Sequence, residues 1–347
     1  MPATADFGAV DGEHNSPAGD PADEAMVARA GERFAAERGK LERRRKQAER
    51  HGALPNLIVI GGLKCGTTSL HHYLNLHPHI AMSRPKELNF FLSELNWELG
   101  PQWYASHFDR GVAVRGETSP HYTNLPRFQG VATRMRETLG PQTRLVYMVR
   151  DPFERLLSHY LHNEGGGYES RSMEQALTAD SSYAARSLYA MQLEPYLDAF
   201  GSEAILIVDN KDLAGHRDAT VRRVFEFCGV ETGFTSAQFD REWETGSARA
   251  KQGSGGFRLM DRAVRLPGLR AFDRNFDRLP ESLRWMVEKV VHDPGSGQAP
   301  KPELPTAIRE RLQPLFAADA ARLEQITGHS SAWALGNDGK GSDIPGR

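Results

Sequence analysis

A short apolar run followed by a glycine-rich turn and a helix start most constrains how this chain can fold. Residues 56–60 are almost wholly apolar and are followed by a pair of glycines, Gly61 and Gly62, which predicts a buried parallel strand. A helical pattern begins near Thr67 and stops at His77. Unpaired amides at a helix start, the helix dipole and the Lys64 ammonium would converge there, so the stretch predicts an anion-binding site.

The turn differs from the phosphate loop of nucleoside triphosphatases in the position of its lysine. That loop places lysine directly before the hydroxyl residue that holds magnesium. Here Lys64 precedes Gly66 and is followed by Cys65. The pattern therefore indicates a phosphate cradle of the same physical kind with a different arrangement.

A second constellation lies in residues 144–163, RLVYMVRDPFERLLSHYLHN. Leu145 to Val149 reads as another buried strand, and Arg150 stands at its carboxyl end, where open α/β sheets bind ligands. Asp151 is suited to cap the helix that follows, and Ser158 lies about two turns along it. A guanidinium and a hydroxyl in this place fit phosphate oxygens.

With the segment KELNFF at residues 86–91, the two motifs resemble sulfotransferases that use 3′-phosphoadenosine 5′-phosphosulfate, especially the heparan sulfate sulfotransferase branch. The resemblance implies that the first motif binds the 5′-phosphosulfate and the second the 3′-phosphate. It also implies that a tyrosine in the helix near residue 189 contacts the nucleotide and that a loop near residue 251 covers the nucleotide. The alternative for that loop is a surface linker. The implied nucleotide-binding residues are Lys64, Cys65, Gly66, Thr67, Thr68, Ser69, Arg150, Ser158, Tyr189 and Lys251, with Arg249 as a second candidate in the loop.

Glu87 occupies the place of the family's catalytic base. The resemblance also implies that Lys64 stabilises the negative charge on the leaving phosphate. Asn89 stands where many relatives have a histidine, so no imidazole role is expected there. Glu117 and His121 lie in a segment that resembles the one lining the family's acceptor site. Either they contact the acceptor or transfer its proton, or Glu117 is a buried, paired carboxylate and His121 a surface residue. The Cys65 thiol is expected to be inert, since no histidine partner is identifiable.

Composition excludes several function classes. The 347 residues include 43 Lys and Arg and 45 Asp and Glu, so the whole chain lacks the basic excess typical of nucleic-acid-binding proteins. No apolar run approaches the roughly 20 residues of a membrane span, and the start does not resemble a signal sequence. The two cysteines, Cys65 and Cys228, cannot form a disulfide framework, which predicts a cytoplasmic location.

Alternating strand and helix patterns predict an α/β fold, a parallel β-sheet flanked by helices on both faces, and the resemblance specifies the P-loop-like sulfotransferase fold. We expect one domain at residues 53–333, after a disordered tail at 1–23 and a basic helical extension at 24–52, with a disordered tail at 334–347. The extension is either a solvated helix or a contact surface for a polyanion, and we assign it no chemistry.

The predicted activity is metal-free, in-line transfer of a sulfuryl group from the phosphosulfate donor to a hydroxyl or amine of a small-molecule or carbohydrate acceptor. Two alternatives are kept: a magnesium-dependent P-loop nucleotide kinase or ATPase, and a non-catalytic nucleotide-binding scaffold. The sequence identifies neither the acceptor nor the oligomeric state.

Overall fold

Five parallel strands form the sheet in the described part of the chain, residues 19–30, 52–240 and 302–330 of a computed structural model. Every neighbouring pair is parallel, and the strands lie side by side in the order β2-β3-β1-β4-β5. This confirms the predicted parallel α/β sheet. The strands are β1 (Leu57–Val59), β2 (Ile80–Met82), β3 (Val114–Thr118), β4 (Arg144–Val149) and β5 (Ile205–Asp209).

The central strand β1 is buried on both faces, which explains its unbroken apolar sequence. Leu57 pairs with Gly116 of β3 on one side and with Arg144 of β4 on the other. The side chain of Asn56 extends this pairing by donating to the Ala113 carbonyl at 3.0 Å. The sequence pattern therefore located the strand because no residue in it has to face water.

Helices flank the sheet on both faces. Right-handed crossovers put helices on opposite faces when the chain moves in opposite directions along the sheet. Apart from a helix that starts at residue 21, the described helices are α1 (Thr67–Leu76), α2 (Gly100–Ala105), α3 (Val131–Leu139), α4 (Pro152–Gly165), α5 (Met173–Ala176), α6 (Ser182–Ala185), α7 (Tyr189–Phe200), α8 (Asn210–Gly215), α9 (Arg217–Cys228) and α10 (Thr306–Thr327). Helix α1 packs against α9, whereas α7 packs against α3 and α10.

The chain reverses its direction along the sheet between β1 and β4. From β1 it passes towards β2, and from β4 it passes to β5 at the opposite edge. Such a switch point opens a crevice at the carboxyl ends of the two strands, which is where open α/β sheets bind ligands. The turn after β1 and the turn after β4 therefore lie side by side.

The first described residues correct one predicted boundary. Residues 19–23 fall in the stretch predicted to be a disordered tail, but the helix starts at residue 21, and Asp20 and Asp23 are each only 1% exposed. Composition alone could not show this, because the partners of both carboxylates lie more than 90 residues away. The remaining predictions for the two tails, and the basic stretch of the extension, fall outside the described residues.

Helix α10 packs along α7 and caps it. The Asp319 carboxylate accepts the Ala190 amide at 3.0 Å and the Met191 amide at 3.2 Å. These amides belong to the first turn of α7 and have no intrahelical acceptor. Burial raises the pKa of Asp319 to about 6, even though these two amides favour its charged form.

We expect Asp319→Asn to gain stability relative to the parent as pH rises. The folded pKa lies above the ordinary value of 3.8, so the contribution of this carboxyl is fully present below that value and is lost as pH rises through 6. An amide does not titrate, so the difference in unfolding free energy should shift towards the variant by up to about 3 kcal/mol. Urea denaturation at acidic and neutral pH measures it, with the exposed Asp198→Asn as control. A pH-independent difference would contradict this account.

Candidate active site

The turn between β1 and α1 presents backbone amides and Lys64 at the switch point. The Gly62 amide donates to the Met148 carbonyl at 3.0 Å, and a Cβ on Gly62 would lie 2.9 Å from that same oxygen, so the close approach requires glycine. Gly66 begins the helix with φ of 86° and, having no side chain, does not itself cap the first amides of α1. This is the geometry of an anion site at a helix start.

Cys65 is the exception in this turn. Its side chain is fully buried, burial raises the pKa of the thiol to about 11, and its amide donates to the Gly62 carbonyl at 3.0 Å. The prediction that Cys65 contacts the nucleotide is therefore wrong for its thiol and amide, since both face the protein. The same burial accounts for the expected inertness of the thiol.

Arg150 follows β4 and reaches the neighbouring turn directly. Its Nη1 donates to the Lys64 carbonyl at 3.4 Å, and its Nη2 pairs with the exposed Glu154 carboxylate at 2.8 Å. Asp151 caps α4 by accepting the Phe153 and Glu154 amides, each at 2.9 Å, as the sequence pattern predicts. The cap fixes where α4 begins, and hence the position of Arg150 beside Lys64.

Both turns open into one cleft of about 940 Å³. The lining from the first turn and the start of α1 comprises Lys64, Gly66, Thr67, Thr68 and Ser69, and the second motif contributes Arg150 and Ser158. Of the residues predicted to bind the nucleotide, the structure thus brings these seven together. Lys251 and Arg249 fall outside the described residues.

Tyr189 has a different position from the one predicted. It is 0% exposed, and its hydroxyl oxygen accepts the Arg150 amide at 3.2 Å and lies 3.6 Å from the Cys65 Sγ. The predicted nucleotide contact is therefore wrong: the ring lies beneath the cleft and joins the two turns. A buried hydroxyl needs partners, and here those partners are the two segments that line the cleft.

The loop that carries Glu87 forms another wall of the cleft. The Glu87 amide donates to the Thr118 carbonyl at 3.0 Å, and the Lys86 ammonium lies 2.5 Å from the Glu87 carboxylate. Among the described residues other than glycine, positive φ occurs only at Lys64, Glu87 and Asn89. A positive φ costs free energy for a residue with a side chain, and such residues tend to concentrate at functional sites.

Glu117 holds this loop from below. Its carboxylate is fully buried and accepts the hydroxyls of Tyr104, Tyr122 and Ser119. Ser119 Oγ in turn accepts the Asn89 amide at 3.1 Å, and Tyr122 Oη accepts the amide of the next residue at 2.9 Å. Burial raises the pKa of Glu117. Of the two alternatives for this residue, the buried and paired carboxylate is the one observed.

His121 lies at the cleft, with its Nδ1 3.4 Å from the Asp23 carboxylate. It is largely buried, with 13% of its side chain exposed, so the surface alternative does not describe it. Its partner comes from the N-terminal residues, which the sequence analysis did not associate with the site.

Two further residues at the site were missed. Arg155 is fully buried and donates to Ser187 Oγ at 2.6 Å and to the Tyr183 carbonyl, which fixes α4 to the segment before α7. Asn210 lines the cleft and donates to the Cys65 carbonyl at 3.2 Å. Arg155 could have been found, because it is the second arginine of the Arg150 motif. Asn210 had no signal beyond its place after a predicted strand.

Comparison with protein families settles the class. Residues 54–255, more than half of the chain, match the model of the sulfotransferase domain. The chain belongs to the sulfotransferase family. This confirms the resemblance inferred from the two motifs and Glu87.

Several curated sulfotransferases are similar to the chain over part of their length. A membrane-associated sulfotransferase of Dictyostelium discoideum is 42% identical over 31% of this chain and 22% of that protein. A bifunctional heparan sulfate N-deacetylase/N-sulfotransferase of Caenorhabditis elegans is 25% identical over 69% of this chain and 28% of that protein. The chain therefore spans about a quarter of the length of these two relatives.

A human heparan sulfate glucosamine 3-O-sulfotransferase matches more evenly, with 26% identity over 80% of this chain and 73% of that protein. A solved sulfotransferase from Alicyclobacillus acidocaldarius is 24% identical and superposes with a TM-score of 0.57 over 81% of this chain and 99% of its own. The last comparison confirms the sulfotransferase fold.

Tyr189→Phe tests whether the buried hydroxyl positions the two turns. Losing its hydrogen bonds should lower the unfolding free energy by about 1–2 kcal/mol and weaken binding of 3′-phosphoadenosine 5′-phosphate roughly threefold to tenfold. Calorimetric titration measures the affinity. Tyr196→Phe is the matched control, since it removes a buried hydroxyl that donates to the Tyr122 carbonyl at 2.6 Å. Equal loss of nucleotide affinity in both variants would refute the positioning role.

Proposed function

We propose that this sulfotransferase transfers a sulfuryl group from 3′-phosphoadenosine 5′-phosphosulfate to a hydroxyl or amine of an acceptor, with a carbohydrate favoured. The observation that carries the proposal is that Lys64 and Arg150 meet at one cleft and touch through the Lys64 carbonyl. A donor with phosphate groups at both ends of an adenosine requires two such cationic sites within one molecule's reach.

The two donor sites differ in chemistry. Lys64, the hydroxyls of Thr67 and Thr68 and the first amides of α1 suit the 5′-phosphosulfate, where negative charge grows on the bridging oxygen as the sulfuryl group leaves. Arg150 and Ser158 suit the 3′-phosphate, which does not react and serves to orient the donor. The protein thus stabilises departing charge at one site and provides binding energy at the other.

Glu87 is the proposed base. It lines the cleft with 38% of its side chain exposed, so an acceptor can reach its carboxylate. Its backbone position is fixed through Thr118 and, two residues on, through the buried Glu117 network. A carboxylate on a fixed backbone is suited to accept the proton of the attacking hydroxyl or amine.

The kinase alternative is not favoured. A kinase of this fold places a magnesium-binding carboxylate after a strand. Asp151 follows β4 and Asp209 ends β5, but Asp151 caps α4 and Asp209 caps α8, where it accepts the Lys211 amide at 2.8 Å. Independence from metal is part of our proposal and rests on this use of the two carboxylates as caps.

The acceptor class rests on the names of the relatives. Both an N-sulfotransferase and a 3-O-sulfotransferase of heparan sulfate are similar to the chain, so an amine and a hydroxyl of a sugar are both kept as acceptor groups. No helix in the described ranges is long and apolar enough to cross a bilayer. The cytoplasmic location stays a prediction, drawn from the two cysteines, both of which are unpaired in the structure.

Lys64→Ala and Glu87→Gln test the proposed chemistry. Removing the cation should lower turnover by about 10²–10³, and removing the base by about 10²–10⁴. The assay follows radiolabel from the phosphosulfate donor into a mixed panel of carbohydrates, phenols and amines, with a chelator present to exclude magnesium.

The exposed Lys211→Ala and Glu94→Gln serve as matched controls and should retain activity. If both site variants stay active, the assigned roles are wrong. Magnesium-dependent turnover of ATP would support the kinase instead, and nucleotide binding without transfer to any acceptor would support the scaffold.

Arg150→Ala tests the second donor site. It should weaken binding of 3′-phosphoadenosine 5′-phosphate by roughly 10- to 100-fold, since hydrogen bonds to charged groups are lost. Binding of adenosine 5′-phosphate, which lacks the 3′-phosphate, should change little. Arg136→Ala, whose guanidinium donates to the Ala199 carbonyl, is the control. An equal loss of affinity for both nucleotides would show that Arg150 contacts a part of the donor other than the 3′-phosphate.

A further inference from the structure

The N-terminal segment, residues 19–30, is part of the cleft. It precedes the first strand by more than 25 residues in sequence, yet it lines the same cavity as Lys64, Glu87 and Arg150. Its lining residues are Asp20, Ala22, Asp23, Ala25, Met26 and Arg29. The proposed donor chemistry uses none of them.

Two buried carboxylates fix the segment through a shared arginine. Arg186 pairs with Asp23 and lies 3.5 Å from Asp20, and both acids are almost fully buried. Asp20 also pairs with His159 at 2.8 Å and accepts the Asn163 amide at 2.8 Å. Burial alone would raise the pKa of both carboxyls. The Arg186 guanidinium, acting together with His159 and the Ala22 amide at Asp20 and with His121 at Asp23, outweighs burial and lowers both pKa values below their usual range.

This arrangement specifies position more than it adds stability. Moving charges out of water costs several kcal/mol per ion, and apolar replacements are often as stable. These contacts can all form in only one placement of the segment, because Asp23 must reach Arg186 and must also accept the Asn124 side-chain amide at 2.7 Å. The segment is therefore held at one location and orientation against the rest of the cleft.

The contacts of the segment identify which half of the cleft it completes. Met26 Sδ lies 3.9 Å from the Asn89 amide group, two residues after the proposed base. Asp23 Oδ1 lies 3.4 Å from His121. Asn89 and His121 belong to the two loops, after β2 and after β3, that hold and flank Glu87. Asp20 contacts α4, which carries Ser158, whereas the part of the segment from Asp23 to Met26 faces the place where an acceptor must approach.

From this geometry we propose that the N-terminal segment is the acceptor-side wall of the cleft, that Met26 and Arg29 determine acceptor selectivity, and that Asp20 and Asp23 position them. The inference rests on the proposed function and assigns no donor contact to the segment. An acceptor entering towards Glu87 passes the thioether of Met26 and the exposed guanidinium of Arg29.

Site-specific labelling tests this wall in the full chain. Cys65 and Cys228 are buried and burial raises their thiol pKa values to about 11 and about 12, so a cysteine introduced at the surface can be labelled selectively. Arg29→Cys places the thiol at the cleft, and Ala28→Cys places it on the next residue, which is exposed but does not line the cleft. Both variants are coupled to the same bulky maleimide.

The labelled Arg29→Cys chain should bind 3′-phosphoadenosine 5′-phosphate like the parent, while kcat/KM for a desulfated heparan sulfate oligosaccharide falls about tenfold or more. The labelled Ala28→Cys chain should retain both. Loss of nucleotide binding at position 29, or equal activity of the two labelled chains, would overturn the inference.

Met26→Ala provides a second measurement without a label. It should raise KM for the oligosaccharide roughly tenfold, more than it changes kcat, because the side chain contacts the acceptor in binding. Val27→Ala is the control: Val27 packs against the core and does not line the cleft. Unchanged KM in Met26→Ala would overturn the assignment of Met26. A parent chain that transfers sulfate to no member of the acceptor panel would instead refute the proposed function, and the inference with it.

Discussion

The contact between the turn after β1 and the turn after β4 is the constraint on which the rest of the site depends. The two strands are neighbours in the sheet, and the chain leaves them in opposite directions. Arg150 donates to the Lys64 carbonyl above the strand ends, and the Tyr189 hydroxyl joins the same two turns from below. The separation of the turn that carries Lys64 from the turn that carries Arg150 is therefore set by the hydrogen-bond spacing of adjacent strands. Helix α10 supports this from a distance, since Asp319 caps the helix that carries Tyr189.

The proposed acceptor side of the cleft is held in place by a strained loop over a buried carboxylate. Glu87 and Asn89 have left-handed backbone conformations that side chains disfavour. The Thr118 carbonyl accepts the Glu87 amide, and a wholly buried carboxylate, Glu117, holds the Asn89 amide through the Ser119 hydroxyl. Placing an ionisable group in the core is costly, so its hydroxyl partners must be accurate in position. These two features together hold the backbone at Glu87 and Asn89 in place, so the proposed base projects from a fixed loop.

Much of the donor side could be predicted from the sequence, because its residues stand next to strong local patterns. Lys64 and Arg150 each follow a buried parallel strand, and strand ends of one sheet lie at one edge. The errors came from contacts between distant residues. The position of Tyr189 looked like a ligand contact in the motif, but the ring packs beneath the cleft. Asp20 lies in a stretch whose composition resembles that of disordered tails, while its partner Asn163 is 143 residues further on. No window of local sequence contains both members of such a pair.

The attachment of the N-terminal segment has an evolutionary consequence. Asp20 and Asp23 carry the attachment, and the other residues of the segment that line the cleft lie between and after them. A chain can therefore exchange the lining residues while it keeps the two carboxylates, and such an exchange leaves the sheet, the phosphate sites and Glu87 unaltered. On the proposed role of the segment, acceptor preference can change through substitutions in one short stretch.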